Sequence, residues 1–348
     1  VWTKYGAICD HIAPLESIHP IDVIFERVAM RRSLITLLVG AVMTASSVSV
    51  HAADAVSVRL KWFNQAQFAG FYVAKDKGMY QAADLDVKVQ PGGPDFPAIQ
   101  MVAGGNEQFG VSSADQILIA RSKGVPVVAV AVLYRKSPFV LFSLKESGVT
   151  KPEQFAGKNI GLKVGGNEEL VYRAMLKKAN VSAKTLTETP VKFDMTPLLT
   201  GKLDVWPGYT INEVLTAREK GFDVNVMWPS DYGIDMYADT IFTTEKMIRE
   251  QPDLVKRFVA ATVKGWEAAA TNPEEAATIT VNQDKKLTYA HEFAMMKESI
   301  PLLKPDNKGI GSMELARWQA VHDLLIEGGF LKAPIDLSKA YTTQFLTP

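Results

Sequence analysis

The sequence predicts an α/β protein folded as two lobes, with a ligand cleft where the lobes meet. Three observations carry that prediction. From Ala55 onward short β-rich runs alternate with helical segments, the pattern of mostly parallel sheets covered by helices. The same alternation restarts at Thr150, after the apolar runs "VPVVAVAVL" and "FVLFSL". From Glu245 on every segment reads helical, so a helical tail returns to brace one of the lobes.

The elements follow in order. "VSVRLKW" is a strand, and Gln67 to Lys77 a helix closed by Gly78. "LDVKVQ" is the next strand and "PGGPD" a turn, with Asp95 read as the cap of a helix carrying Pro97 in its first turn. "QFGVSS" is a strand that runs into the helix "ADQILIARSKG". In the second half Thr150-Lys151-Pro152-Glu153 reads as a capping box, "KNIGLKV" as a strand and Glu168 to Lys178 as a helix. After "PVKF" and a short helix start at Thr196-Pro197 come the strand "LDVWPGY", the helix "INEVLTAREKG" and the strands "DVNVMW" and "DTIFTT". The predicted lobes are 55–143 together with 241–348, and 144–240.

The first fifty residues stand apart. Met30, Arg31 and Arg32 precede the apolar run Leu34 to Met43 and a small-residue stretch ending in "VHA-ADA". That is the grammar of a cleavable signal peptide, 30–52, which places the product in the periplasm; 1–29 reads as an over-extended gene start. The single cysteine, Cys9, falls in that leader, so the expected mature chain has neither disulfide nor lipidated cysteine. Basic and acidic residues balance at 38 each, which points to neither nucleic acid nor an anionic membrane as partner.

Parts for catalysis are missing. His291 and His322 both lie in the helical tail without a second ligand at metal spacing, so no metal site is predicted. No G-x-S-x-G elbow, P-loop or G-x-G-x-x-G follows a strand, and the pairs Glu168-Glu169 and Glu274-Glu275 open helices, where the macrodipole favours acids. The chain is read as a non-enzyme with no catalytic residue and no cofactor.

What remains is a set of aromatic and amide groups at predicted strand ends. Trp62, Asn64, Gln65 and Gln67 follow the first strand; Ser112, Ser113 and Asp115 follow another, at a helix start. Gly165, Gly166, Asn167 and Glu168 open a helix; Trp206, Tyr209, Asn212 and Glu213 come next, then Trp228, Asp231, Tyr232 and Tyr237. For Trp206 and Trp228 core and site weigh evenly. Flat aromatic walls with amide and carboxylate hydrogen-bonders suit a neutral, planar, nitrogen-bearing heterocycle. An inorganic oxyanion would call for arginine, which these loops lack.

"WFNQAQFAGFYVAKDKGMY", "VQPGGPD", "GGNEE", "FDMTPLLTGKLDV", "YTINEV" and "NVMWPSDYGIDMYADTIFTT" together resemble the thiamine-pyrimidine-synthase-like solute-binding proteins of ABC importers. The resemblance runs from about Val56 to Leu346. It implies a type II periplasmic binding protein fold that closes on a thiamine pyrimidine precursor or riboflavin, works as a monomer, and docks on a membrane permease driven by an ATPase. It also implies that Glu213 meets a ring amino group. In the receptor reading Trp62, Tyr209 and Tyr232 supply the ring walls, and Gln65, Gln67, Asn167, Asn212 and Glu213 the orienting hydrogen bonds. The family's enzyme branch, a thiamine pyrimidine synthase, carries a histidine where this chain has Phe68, and a cysteine-rich motif for which the mature chain has no cysteine. The other alternative is the same receptor fold for a sulfonate- or nitrate-type solute.

Overall fold

The structure is a computed structural model that describes residues 52–346, apart from Gly166 and Asn307. The predicted gene-start extension, and the predicted signal peptide except Ala52, lie outside the described residues. In chain order the described strands are β1 (Asp54–Arg59), β2 (Leu85–Gln90), β3 (Phe109–Ser112), β4 (Val127–Val132), β5 (Phe139–Leu144), β6 (Asn159–Leu162), β7 (Thr187–Pro190), β8 (Trp206–Tyr209), β9 (Val224–Met227) and β10 (Thr240–Thr244). The described α-helices are α1 (Ala69–Asp76), α2 (Ala98–Ala103), α3 (Ala114–Ser122), α4 (Asn167–Lys178), α5 (Thr196–Leu199) and α6 (Leu215–Glu219). The tail supplies α7 (Glu245–Glu250), α8 (Pro252–Thr271), α9 (Pro273–Val281), α10 (Tyr289–Leu303) and α11 (Leu315–Glu327).

One sheet has the order β2-β1-β3-β10-β4. Its strands β2, β1 and β3 run parallel, with Val56 opposite Val87 and Val58 opposite both Val89 and Phe109. β2 alternates, Leu85 and Val87 buried and Asp86 and Lys88 exposed, because only one of its faces is covered at this edge. A second sheet has the order β8-β5-β9, and the parallel pair β6-β7 adjoins it through a bridge between Ile160 and Val205.

The architecture is the two-lobed periplasmic binding fold, with two departures from the sequence reading. The sheets are not mostly parallel: β10 is antiparallel to β3 and β4, and β5 is antiparallel to β8 and β9. β5 and β10 are the strands by which the chain enters a sheet from the other lobe, so each arrives against the local direction. The crossing also comes early. β5 pairs with strands of the second sheet, so the chain changes lobe between Val132 and Phe139, ahead of the boundary expected at 143–144. All six residues of β5 are buried, and such a run reads alike in either sheet.

Smaller corrections concern caps. Pro97, not Asp95, sits at the N-cap of α2. Gln154 secures the turn after Thr150: its Oε1 accepts from the Thr150 N–H at 2.7 Å and the Lys151 N–H at 3.2 Å. The predicted helix from Ile211 is a π-helical turn, Thr210–Val214, leading into α6.

Candidate functional site

A cavity of about 530 Å³ lies where the C-terminal ends of β1, β2, β3, β6, β7 and β8 converge, which is where open α/β sheets receive ligands. Its size is in the range of small-molecule sites. The first sheet contributes Lys61, Trp62, Gln65 and Gln67 after β1, and Ser112 at the end of β3 with Ser113 and Gln116 beyond it. The second lobe contributes Lys163, Asn167 and Glu168 after β6, Phe193 after β7, and Tyr209 at the end of β8 with Asn212 and Glu213 beyond it.

The segment after β1 is held from beneath. The Ala66 N–H donates to Glu292 Oε2 at 2.6 Å, and the Gln67 N–H to Met295 Sδ at 3.2 Å, both on α10. Burial raises the Glu292 carboxyl's pKa above its ordinary range, the Ala66 N–H opposing. Gln67 Nε2 donates to the fully buried Asp239 carboxylate at 2.9 Å, and Gln65 Nε2 donates to Gln67 Oε1 at 2.6 Å. Asp239 also takes Lys61 Nζ at 2.6 Å. Burial would lower the Lys61 pKa, but Asp239 and the Tyr209 hydroxyl outweigh it and hold the ammonium charged.

The facing wall is organised around Glu213 and Tyr209. Glu213 accepts from Lys163 Nζ at 3.0 Å and, through its other oxygen, from the Tyr209 N–H at 2.9 Å. The π-helical turn that carries Glu213 is the kind of local widening often found at functional sites. A Cβ on Gly208 would lie 2.8 Å from Glu213 Cβ, so glycine there lets the glutamate fold back over β8. The Tyr209 phenol, pushed up to about 12 by burial, accepts from Lys61 Nζ at 3.1 Å and so ties the two walls together. At the rim Trp62 meets Phe193 edge to face, ring centroids 5.0 Å apart.

Of the residues singled out from sequence, Trp62, Gln65, Gln67, Ser112, Ser113, Gly165, Asn167, Glu168, Tyr209, Asn212 and Glu213 line this cavity. Asn64, Asp231 and Tyr232 do not. Asn64 turns to the Tyr72 hydroxyl at 3.0 Å and the Gln283 carbonyl at 3.4 Å. Asp231 is exposed, and Tyr232 packs on the second core with its hydroxyl donating to Glu153 at 3.0 Å. The ring wall expected of Tyr232 is supplied by Phe193, whose place in a loop after β7 carried no sequence signal beyond "FDMTPLL".

Trp206 is fully buried core; Trp228 is half-buried beneath the Lys136 ammonium, 4.3 Å from its ring. Tyr237 is core as well. Gly166 lies outside the described residues. Asp115, fully buried behind Ser113, accepts from Gln116 Nε2 at 2.8 Å while its Oδ1 has no partner; burial raises its pKa. The sequence reading missed Lys61, Lys163 and Gln116, and with them both cationic groups of the lining.

The histidines are engaged elsewhere. His291 Nδ1 lies 2.9 Å from Glu219, and His322 Nε2 accepts from the Ile335 N–H at 3.3 Å. No group of three or more His, Cys, Asp or Glu among the described residues is placed to hold a metal ion. No described helix is long and apolar enough to cross a membrane.

Comparison with known proteins agrees with this frame. The family described as NMT1/THI5 like matches residues 65–276. A riboflavin-binding protein of Chloroflexus aurantiacus is 27% identical over 303 residues, covering 84% of this chain and 86% of its own. A formylaminopyrimidine-binding protein of Halalkalibacterium halodurans is 25% identical, covering 89% and 96%. A Legionella pneumophila relative, 22% identical with coverage of 84% and 92%, is named 4-amino-5-hydroxymethyl-2-methylpyrimidine phosphate synthase. Among solved structures, the periplasmic aliphatic sulphonate binding protein of Escherichia coli superposes with a TM-score of 0.67 at 14% identity, over 85% of this chain and 94% of that one.

Proposed function

The chain belongs to the NMT1/THI5-like family, and from that premise we propose that it is the substrate-binding component of an ABC importer. It works in the periplasm, captures a small heteroaromatic vitamin or precursor, a thiamine pyrimidine precursor or riboflavin, and delivers it to a permease and its ATPase. The observation that carries this reading is the composition of the cavity. Trp62, Phe193 and Tyr209 offer ring faces and edges from both lobes, and the rest of the polar lining is dominated by amides and hydroxyls. Ring contacts contribute about 1 kcal/mol per pair beyond burial, and the amides discriminate because a wrong ligand leaves them buried and unpaired.

Binding between the lobes gives the closed shape that the permease reads. In this assignment Trp62, Gln65, Gln67, Ser112, Ser113, Asn167, Glu168, Tyr209, Asn212 and Glu213 contact the ligand. A synthase reading has the Legionella relative's name in its favour, but Phe68 is fully buried in the first core, at the position of the enzyme branch's histidine and away from the cavity. The aliphatic sulphonate protein supports the fold alone.

The test is titration calorimetry of the purified protein with riboflavin, formylated and hydroxymethyl aminopyrimidine, and thiamine. One of them is expected to bind saturably and to stabilise the fold by about 2.7 kcal/mol once free ligand exceeds Kd roughly 100-fold. Absence of heat and of thermal shift with all four removes the ligand assignment.

A further inference from the structure

The cavity's hydrogen-bonding polarity is set by one buried carboxylate. Asp239 can only accept, and it receives Lys61 Nζ at 2.6 Å and Gln67 Nε2 at 2.9 Å. That fixes which end of the Gln67 amide faces which way: nitrogen to Asp239, oxygen to Gln65. Gln65 must then turn its own nitrogen to Gln67, at 2.6 Å, which leaves Gln65 Oε1 without a bond among the described residues. An amide whose orientation is ambiguous in isolation is thus assigned by its network.

Both lysines of the lining are already neutralised, Lys61 by Asp239 and Lys163 by Glu213. Glu168 is different. Its neighbour Glu169 takes the local tasks, accepting from the Gly165 N–H at 2.8 Å and from Arg173 at 3.2 Å. Glu168 lines the cavity with no ion pair or side-chain hydrogen bond among the described residues. The two lysines of the lining are thus matched by Asp239 behind it and Glu213 within it, which leaves Glu168 as its unpaired charge, and no arginine lines it.

We infer that the site is a donor-seeking, anion-rejecting one: it takes ligands that offer N–H groups to Gln65 Oε1 on one wall and Glu168 on the other. Of a vitamin ring and its phosphate ester it accepts the unesterified form. The inference deepens the receptor reading above and rests on it. A phosphate brought into this cavity meets an unpaired carboxylate and no uncommitted cation, and like charges brought together at a binding surface lower affinity.

Calorimetry on the full chain tests it with matched pairs: riboflavin against riboflavin 5′-phosphate, and hydroxymethyl aminopyrimidine against its phosphate. A second measurement compares benzamidine, which donates, with benzoate, which has the same shape and accepts. The ester is expected to bind at least about 100-fold more weakly than its parent, and benzamidine at least about tenfold more tightly than benzoate. Glu168→Gln, which keeps the shape and removes the charge, is expected to narrow both gaps about tenfold.

An ester or benzoate that binds as well as its counterpart overturns the inference, as does a lack of response to both benzamidine and benzoate. An unchanged gap in Glu168→Gln overturns the role of Glu168. If neither vitamin binds while benzamidine still outruns benzoate, the ligand assignment falls and the donor requirement stands.

Discussion

The two walls of the cavity are built to different standards. The first-sheet wall rests on the larger core, and its polar groups are tied to residues far away in sequence: Gln67 to Asp239, Ala66 to Glu292, Gln67 N–H to Met295. The second wall adds local ties beside its contacts to Lys61 and Lys163. Glu213 holds the Tyr209 N–H four residues back, and Glu169 holds Gly165 at the same spacing. Glycines mark the contrast. A Cβ on Gly92, beside the first wall, would sit 1.9 Å from the Leu60 carbonyl oxygen, a backbone atom that cannot give. The three atoms nearest a Cβ on Gly208 all belong to the Glu213 side chain. The first wall is therefore a fixed template, while the second can adjust its side chains to what the template holds.

The sharpest way to break this comparison is to remove the acid from each wall in turn. Asp239→Ala leaves the Lys61 charge buried without its carboxylate and the Gln67 amide without its acceptor. Urea unfolding is expected to lose about 3–5 kcal/mol, the usual cost of orphaning a buried ion-pair partner. Glu213→Ala, on the wall whose pair is partly exposed, is expected to cost only about 1–2 kcal/mol. Equal losses would mean the walls are equally rigid.

Ligand affinity gives the next effect in size. Trp62→Ala is expected to weaken riboflavin or pyrimidine binding about 10- to 100-fold in calorimetry, since it removes a ring face that the template holds still. Phe193→Ala removes an exposed ring from the adjustable wall and is expected to cost less, about tenfold or below. The reverse order would assign the fixed role to the second lobe.

These distinctions also show which parts of the molecule were legible in sequence. Strand–helix alternation gave both lobes, and the rule that ligands sit at strand ends located eleven cavity residues. The determinants of the first wall were hidden because they are distant: Asp239 is 172 residues from Gln67, and Glu292 is 226 from Ala66. Lys61 and Lys163 carry no sequence signal because a lysine at a strand end ordinarily points to water, and only the fold supplies the acids that hold them. Asp231 and Tyr232 misled for the opposite reason. Their loop has the composition of a binding loop, but its short 3-10 turn, Pro229–Tyr232, aims them at Glu153 and solvent.

A pH experiment probes the packing behind the template. Burial raises the Asp115 pKa in the folded state, so folding binds its proton more tightly than the unfolded chain does. The stability that this group contributes is complete below the unfolded pKa, near 4, and is lost as pH rises toward the folded value. Asp115→Asn, which keeps an acceptor for Gln116 and carries no charge, is expected to be more stable than the parent at pH 7.5. That advantage fades as unfolding is repeated toward pH 4. A gain independent of pH would place its origin in packing and not in the buried charge.

The smallest expected effect lies outside both walls and separates the cavity from its surroundings. Tyr232 donates to Glu153 at a partly exposed site, where burial, with that carboxylate's help, pushes the phenol up to about 12. Tyr232→Phe deletes one hydrogen bond at the surface and keeps the ring in the second core, so stability is expected to change by about 0.5 kcal/mol or less. Because the hydroxyl faces Glu153, ligand affinity should stay within about twofold of the parent, a shift below half a kcal/mol. A larger loss of affinity, with stability unchanged, would return Tyr232 to the ring wall. It would also require the second lobe to swing this loop into the cavity on binding, which is further than adjustment of its side chains alone can reach.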